Sequence, residues 1–192
     1  MAIISITGKI GSGKDTAAEI IKELAPEYGW EIKKFAGKLK TVASILTNIP
    51  VEKFEDQEFK KTLLPKEWSY WTPDEEVKDM SVRELLQFLG TEAMRNGLHP
   101  NTWVNALWSD YTDKSNWIIT DTRFFNELNS IIGRHGVAIR INRNSGNTVG
   151  IHHTSETALD DYNGFHHEVD NNGTLEDLRE QLKGILMAER II

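Results

Sequence analysis

The chain has 192 residues, of which 39% are hydrophobic and 27% charged, and its formal net charge is −7. These values predict one globular domain with room for an inserted lid or subdomain, and the acidic balance disfavours a nucleic-acid polymer as a partner. The absence of cysteine excludes disulfides and thiolate zinc sites. The sequence holds no run of about 18 apolar residues and no signal-peptide pattern at its N-terminus, so we expect a cytoplasmic protein without a membrane span.

The strongest motif lies at the N-terminus. Residues 2–7 form an apolar run that predicts a buried parallel strand, and a glycine-rich loop, a lysine and a helical pattern follow. This order is typical of a P-loop, in which backbone N–H groups and a helix N-terminus surround a phosphate and the lysine reaches the β- and γ-phosphates. We therefore expect ATP as the phosphate donor. The predicted phosphate-binding residues are Gly8, Gly11, Ser12, Gly13, Lys14, Asp15 and Thr16.

The loop departs from the usual pattern at one position. Asp15 follows Lys14 where most P-loops have the Ser or Thr that binds Mg²⁺, and Thr16 comes one residue later. The loop sequence GKIGSGKDT is similar to the GxxGxGKGT loop of nucleoside monophosphate kinases, with Asp15 in place of their glycine. The alternative is a glycine-rich turn that precedes an unrelated helix.

The next segments predict a strand over residues 31–36 and a helix over residues 37–46. Lys38 and Lys40 lie at this junction and could face an acceptor nucleotide, because ligands of open α/β sheets bind at the carboxyl edge; the alternative is a solvated helix start. Residues 50–80 predict a long, partly structured insertion. Its aromatic side chains could stack on a base, but we favour a small hydrophobic cluster.

Ser81 and Glu84 form a predicted capping box that begins a helix over residues 81–96. A further helix is expected after Pro100. The predicted apolar face of the first helix consists of Val82, Leu85, Leu86, Leu89 and Ala93, and the second is predicted to bury Trp103, Val104, Leu107 and Trp108.

Residues 117–121 predict a strand that ends in Asp121. An acid at this position is typical of the Walker B motif, where it orients Mg²⁺ or its water, although many such acids only cap the next helix. A helix from Phe125 to about Arg134, strands over residues 137–141 and 166–170, and a final helix capped by Thr174 and Asp177 complete the pattern. Strands that alternate with helices predict an α/β fold with a doubly wound parallel sheet.

Residues 142–164 are polar and rich in glycine and asparagine, which predicts a mobile lid. Adjacent histidine pairs are poorly spaced for a tetrahedral metal site, and no cysteine assists them. We expect the lid histidines to bond to neighbouring polar groups. His153 and Glu156 are accordingly predicted to be lid or acceptor-site residues without an assigned role.

Several blocks together resemble the phage-type deoxynucleoside monophosphate kinases, which are P-loop proteins of the adenylate kinase-like group. The blocks are GKIGSGKDT, FAGKLK, RELLQFLGTEAMRNGLHPNTWV, IITDTRFFNE, HTSETALDD and DNNGTLEDL. The resemblance implies a three-layer P-loop kinase fold with a parallel sheet of about five strands. It also implies a single domain over residues 1–192, in which residues 37–112 are a helical acceptor-binding region and residues 142–164 a lid.

The implied activity is the transfer of the γ-phosphoryl group of ATP, with Mg²⁺, onto a deoxynucleoside 5′-monophosphate, in the host cytoplasm if a phage encodes the protein. Phosphoryl transfer depends on positioning and on neutralisation of charge, and a phosphate acceptor needs no strong general base. We therefore expect a site of lysines and arginines. The predicted catalytic residues are Lys14, Asp121, Arg123 and Arg143, and the predicted metal ligands are Asp15 and Asp121.

Substrate contacts are predicted in the remaining blocks. The loop before the last helix borders the adenine in this fold group, which implies contacts from Asn172 and Gly173. The predicted acceptor-site residues are Lys38, Lys40, Arg83, Gln87, Arg95, Trp103, His153 and Glu156.

Two other functions stay open at this stage. Animal phosphomevalonate kinases share a GKD-type loop, so the acceptor could be another small phosphorylated metabolite, and a P-loop protein can also bind nucleotide without catalysis. The preferred base and the oligomeric state, including a homodimer, are not determined by the sequence.

Overall fold

The computed structural model of the protein describes residues 2–144 and 157–192. Five strands form one parallel sheet in the order β2-β5-β1-β6-β7, and β3 and β4 form a separate antiparallel pair. The predicted α/β fold with a parallel sheet of about five strands is thus confirmed. The strands are β1 (Ile3–Thr7), β2 (Glu31–Lys33), β3 (Tyr70–Trp71), β4 (Val77–Lys78), β5 (Trp117–Ile119), β6 (Val137–Asn142) and β7 (His167–Asp170).

Helices cover both faces of the parallel sheet, which gives the three layers. Ile139 and Ile141 of β6 belong to a core cluster that includes residues of the first and last helices, whereas Ala138 packs with Leu128 in a separate cluster. Successive side chains of a strand point to opposite faces, which explains this division. The helices are α1 (Lys14–Leu24), α2 (Ala36–Thr47), α3 (Val82–Gln87), α4 (Thr102–Trp108), α5 (Phe125–Ile132) and α6 (Leu175–Ala188).

The chain divides into two compact units. The first unit, residues 1–35 and 108–192, contains the parallel sheet with α1, α5 and α6. The second unit, residues 36–107, contains α2, α3, α4 and the β3–β4 pair. The region 37–112, predicted to bind the acceptor, therefore largely coincides with the second unit.

Both predicted capping boxes are confirmed. Ser81 Oγ accepts a hydrogen bond from the N–H of Glu84 at 3.2 Å, and the Glu84 carboxylate accepts one from the N–H of Ser81 at 2.8 Å. Thr174 and Asp177 make the same reciprocal pair, at 3.1 Å and 2.7 Å. Each box satisfies N–H groups that the first turn of its helix leaves without a partner.

The helix predicted over residues 81–96 changes its geometry after its first turns. It is α-helical to Gln87 and continues as a π-helix over Phe88–Leu98. A π-helix bonds residue i to i+5, so side chains beyond Gln87 no longer follow the α-helical period. The prediction that Ala93 lies on the apolar face is therefore wrong, because Ala93 is exposed, whereas Val82 and Leu85 are buried as predicted.

Residues 50–80 contain few regular elements, as predicted. Short 3₁₀ turns cover Val51–Glu55, Phe59–Lys61 and Lys66–Trp68, and the β3–β4 pair follows. Trp68 packs against a cluster around the buried Phe54, as predicted, whereas Trp71 is 72% exposed and belongs to no such cluster in the described part of the chain. Across the described ranges, none of the helices is long and apolar enough to cross a membrane.

Candidate active site

The glycine loop between β1 and α1 has a backbone that only glycine accommodates easily. Gly13 has a φ of 98°, and a Cβ atom there would lie 2.4 Å from Asn171 Nδ2. A Cβ at Gly8 would lie 2.5 Å from the carbonyl oxygen of Ile141. The loop is thus tightly enclosed by the ends of β6 and β7, and it leads directly into the N-terminus of α1 at Lys14.

Lys14 folds back over this loop. Its Nζ donates hydrogen bonds to the carbonyl oxygens of Gly8 at 2.8 Å and Lys9 at 2.7 Å. Burial, and to a smaller extent the nearby positive charge of Arg123, lowers the pKa of Lys14 to about 8. The ammonium group is therefore held in a confined position that is poor in water, where a phosphate would interact with it strongly.

Asp121 follows β5 at the carboxyl edge of the sheet. Its Oδ1 accepts a hydrogen bond from the N–H of Phe35 at 2.7 Å. This bond connects Asp121 to the short segment between β2 and α2. The alternative that Asp121 only caps the next helix is wrong. α5 begins at Phe125, and the buried Glu127 accepts the N–H groups of Arg123 and Phe124 at 2.8 Å and 3.1 Å.

One cavity of about 480 Å³ joins the glycine loop, the end of β5 and the end of β6. Lys14, Asp121, Arg123 and Arg143, the four residues predicted to be catalytic, all line it. Its charged lining residues are Lys9, Lys14, Asp121, Arg123, Arg140, Arg143 and Asp160. The sheet therefore gathers side chains from four separate segments of the sequence at its carboxyl edge, as expected for an open α/β sheet.

Arg140 and Arg143 differ in their contacts although both line the cavity. The Arg140 guanidinium donates hydrogen bonds to the carbonyl oxygens of Leu159 at 2.6 Å and Tyr162 at 3.2 Å, and it lies over the Phe165 ring. Arg143 is exposed and makes no hydrogen bond or ion pair with the residues that the structure describes. Arg140 thus stabilises the segment 159–162. Arg143 makes no such contact among the described residues, and its charge faces the cavity.

The loop before α6 touches the P-loop through a residue that the sequence analysis missed. Asn171 is buried, and its Nδ2 donates a hydrogen bond to the carbonyl oxygen of Ser12 at 2.8 Å. The neighbouring Asn172 accepts a hydrogen bond from the N–H of Asn144 at 2.8 Å. The only sequence signal for Asn171 is its place in the DNNGT run, directly before the residues predicted to contact adenine.

Gly173 has a structural reason to be glycine. A Cβ atom at this position would lie 2.5 Å from Asp177 Oδ2, which is the oxygen that completes the capping box with Thr174. A larger residue here would disturb the start of α6, independently of any effect on nucleotide binding. The predicted contact of Gly173 with adenine stays a prediction.

The acceptor-site residues predicted between positions 38 and 103 lie in the second unit, and two of them are committed to internal contacts. Lys40 is 7% exposed and pairs with Glu55 at 2.5 Å, so the alternative of a solvated side chain is wrong and its charge is already balanced. Trp103 is also 7% exposed, and its indole N–H donates to the carbonyl oxygen of Gly90 at 2.8 Å. We therefore interpret Lys40 and Trp103 as packing residues rather than substrate contacts.

The remaining acceptor-site candidates are more accessible. Arg83 is half-buried and donates to Gln57 Oε1 at 3.2 Å, and Arg95 donates to the carbonyl oxygen of Pro100 at 3.3 Å. Gln87 ends α3, and Lys38 lies in the first turn of α2; both are half-buried.

His153 and Glu156 lie outside the described residues, as does most of the predicted lid. Among residues 2–144 and 157–192, no group of three or more His, Asp or Glu side chains could hold a metal ion. The predicted metal ligand Asp15 is exposed, and its carboxylate lies 3.5 Å from Lys34 Nζ. Thr16 is also exposed at the start of α1.

The parallel sheet flanked by helices, with a glycine-rich loop between β1 and α1, is consistent with a P-loop kinase fold. Comparison with known proteins narrows the class: residues 69–182 match the sequence model of a family described as deoxynucleotide monophosphate kinase. The chain is also 30% identical to a putative deoxynucleotide monophosphate kinase of Acanthamoeba polyphaga mimivirus, in a match that covers 95% of this chain and 94% of the relative. The protein therefore belongs to the deoxynucleotide monophosphate kinase family.

A second relative is the deoxynucleotide monophosphate kinase of Enterobacteria phage T4. It is 32% identical over 111 residues, which are 55% of this chain and 45% of the phage protein. The resemblance to phage-type enzymes is thus confirmed, and family membership favours the first of the three functions considered above.

Proposed function

We propose that the protein transfers the γ-phosphoryl group of ATP, with Mg²⁺, to the 5′-phosphate of a deoxynucleoside monophosphate. The observation that carries this proposal is the cavity that Lys14, Asp121, Arg123 and Arg143 line together, in a chain that belongs to a kinase family. We propose further that it acts on free nucleotides in the cytoplasm, and that a homodimer is compatible with this activity.

The P-loop fits the triphosphate of ATP. Its glycines let the loop pack closely against Ile141 and Asn171, and α1 begins directly after it with its positive N-terminal end. The hydroxyl oxygens of Ser12 and Thr7 are buried and have no hydrogen-bond partner in the described parts of the chain. Phosphate oxygens would supply the missing partners and relieve the cost of leaving these groups buried and unsatisfied.

Asp121 fits Mg²⁺ better than Asp15 does. Magnesium binds to one or two carboxylates, waters and substrate phosphates, and the Asp121 carboxylate lines the cavity beside Lys14. The Asp15 carboxylate instead faces the ammonium group of Lys34, a cation that would compete with the metal. When bound, the ion would neutralise charge on the phosphate oxygens.

The cationic side chains would make most of the protein's contribution to catalysis. Lys14, Arg123 and Arg143 would bind phosphate oxygens and stabilise the charge that develops during transfer, and arginine offers two parallel hydrogen bonds to a phosphate. No side chain has to remove a proton from the acceptor, because its phosphate is already ionised at neutral pH.

We propose that Arg83 or Arg95 binds the 5′-phosphate of the deoxynucleoside monophosphate and that Gln87 and Lys38 contribute polar contacts. Gln87 offers both donors and acceptors, which a base edge requires. His153 and Glu156 stay candidates for contacts from the lid.

A coupled assay would test this function. The purified protein, ATP and Mg²⁺ would be incubated with each of the four deoxynucleoside monophosphates, with the ribonucleotides and with phosphomevalonate, and Lys14→Ala would serve as the inactive control. We expect turnover of at least one deoxynucleoside monophosphate. Turnover of phosphomevalonate alone, or nucleotide binding without turnover, would contradict the proposal in favour of the corresponding alternative.

A further inference from the structure

Glu127 is a buried acid in the first turn of α5 that has no part in the proposed function. The residue is 3% exposed, and its Oε2 accepts the N–H groups of Arg123 at 2.8 Å and Phe124 at 3.1 Å. Taking a carboxylate out of water costs free energy unless hydrogen bonds compensate for the lost hydration. The role of this acid is therefore to be sought in the groups that its hydrogen bonds hold.

The bond to Arg123 goes beyond what the helix requires. α5 begins at Phe125 after the cap residue Phe124, whose side chain offers no hydrogen-bond acceptor. In a capping box, the acid at the third helical position accepts the N–H of the cap residue, which here is Phe124. The shorter bond runs to Arg123, one residue outside the helix. The carboxylate thus stabilises the loop before α5 as well as the helix itself.

The capping boxes of α3 and α6 achieve the same helical geometry without burying their acids. The side chain of Glu84 in α3 is 24% exposed, and Asp177 in α6 is exposed. Burial of the carboxylate is thus not a requirement of the box. Hydrogen bonds to a charged group are stronger in surroundings with little water, so Glu127 holds the main chain of Arg123 more firmly than an exposed acid would.

The loop between β5 and α5 is held at three successive residues of the first unit. Asp121 accepts the N–H of Phe35 at 2.7 Å, the hydroxyls of Thr122 and Ser5 share a hydrogen bond of 2.8 Å, and Arg123 donates its N–H to Glu127. Arg123 itself lines the cavity. Burial is the main reason for the lowered pKa of Lys14 and the charge of Arg123 the next, which indicates that this charge lies near Lys14.

We propose that Glu127 is a positioning residue that fixes the main chain of Arg123, so that the guanidinium meets phosphate oxygens in the cavity during transfer. This inference rests on the proposed function. Arginine has a long side chain with many rotamers, so the position of its main chain limits which points the guanidinium can reach. A displacement of about 1 Å in an active site can lower the rate about a hundred-fold.

Glu127→Ala and Glu127→Gln, with Ser130→Ala as the matched control, test the proposal. Glutamine keeps the length of the side chain and a carbonyl oxygen that can accept the same N–H groups, whereas alanine removes the acceptor. Ser130 lies on the same helix, where its Oγ donates to the main-chain carbonyl oxygen of Glu127 at 2.7 Å and accepts the indole N–H of Trp108 at 2.9 Å. Ser130→Ala therefore weakens α5 without removing the carboxylate.

With the preferred deoxynucleoside monophosphate, we expect Glu127→Ala to lower kcat about ten-fold or more and to change KM for either substrate by less than about three-fold, because the contact strengthens in the transition state. Glu127→Gln should keep at least about one third of the wild-type kcat, and Ser130→Ala should lower Tm but change kcat by less than about two-fold. Hydrogen exchange without nucleotide should be faster at the amides of Arg123 and Phe124 in Glu127→Ala, and not in Ser130→Ala.

A double-mutant cycle separates positioning of Arg123 from a general effect on the fold. In an Arg123→Ala background, Glu127→Ala should lower kcat by less than about two-fold further, because the side chain that it positions is already absent. Its effect on Tm should persist in that background, since the bonds to the main chain of residues 123 and 124 are lost in both.

A loss of kcat of equal size in both backgrounds would overturn the assignment, as would a wild-type kcat for Glu127→Ala or an equal loss for Ser130→Ala; in each case the kinase activity of the wild type stands. Should Glu127→Ala fail to fold by circular dichroism, Glu127→Gln and Glu127→Asp replace it in both backgrounds, with the larger loss expected for the shorter aspartate. A wild-type protein that phosphorylates no deoxynucleoside monophosphate would overturn the proposed function, and this inference with it.

Discussion

Replacing Asn171 by alanine probes how the loop before α6 supports the P-loop. Asn171 is 8% exposed, and its Nδ2 donates to the carbonyl oxygen of Ser12 at 2.8 Å. Its own N–H bonds to the carbonyl oxygen of Asn142 at 2.8 Å, so its backbone is fixed independently of the side chain. The substitution therefore removes one defined contact and leaves the loop in place.

The expected loss follows from the burial of this contact. Leaving a buried carbonyl group without its donor costs about 1–3 kcal/mol. In a chain of this size each kcal/mol lowers Tm by about 2–4 °C, so the melting temperature should fall by about 2–12 °C. Because the freed carbonyl belongs to Ser12, inside the P-loop, KM for ATP should also rise.

Asn172→Ala is the matched control for the change in Tm, though not for KM, because Asn172 is itself predicted to contact adenine. It removes the same side chain from the next position, but Asn172 is exposed and its contacts are with Asn144 and Asp170 rather than with the P-loop. Calorimetric unfolding of the two variants and the wild type, without nucleotide, would give the shifts in Tm. Steady-state kinetics with varied ATP would give KM.

We expect Asn171→Ala to lower Tm more than Asn172→Ala. Equal shifts, or a shift for Asn171→Ala below about 1 °C, would refute the reasoning, because the contact with Ser12 would then contribute nothing measurable. A lowered Tm with an unchanged KM for ATP would show that Asn171 supports the fold but not the geometry of the P-loop.

Three other predictions concern the charges of the site. Because the pKa of Lys14 is lowered to about 8, the ammonium loses its proton as pH rises through that value, and kcat/KM should fall there; a profile flat to pH 9.5 would contradict this. Asp121→Asn should raise the Mg²⁺ concentration needed for half-maximal activity, and a metal titration that matches wild type would contradict a role in metal binding. Arg83→Lys or Arg95→Lys should raise KM for the monophosphate about ten-fold with little effect on ATP, since lysine lacks the bidentate fork; wild-type values for both would place the acceptor site elsewhere.

Features that depend on neighbouring residues could be predicted from the sequence. The strand, loop and helix of the P-loop occupy one continuous stretch, and the capping boxes of Ser81 and Thr174 depend on a spacing of three residues. Asp121 can be predicted because it lies two residues after a buried apolar strand, Trp117–Ile119. In each case the determining interactions lie within a few residues of one another.

Features that depend on distant contacts could not be predicted. Lys40 has the same local signal as Lys38, and only its ion pair with Glu55, fifteen residues later, gives it a different role. Asn171 acts through Ser12 at the other end of the chain. The sequence pattern around Ala93 is compatible with a continuing α-helix, whereas the structure continues as a π-helix and leaves Ala93 exposed.

Two of the cations that line the cavity are held by neutral groups, which leave their positive charge in place. Five basic and two acidic side chains line it, in a protein whose net charge is −7. Lys14 and Arg140 donate to backbone carbonyl oxygens, which satisfy their hydrogen bonds without cancelling their charge. Lys9 instead pairs with Asp160. Cations that are oriented before the substrate arrives need little reorganisation when negative charge develops, and this is the condition under which electrostatic stabilisation of a transferred phosphoryl group is largest.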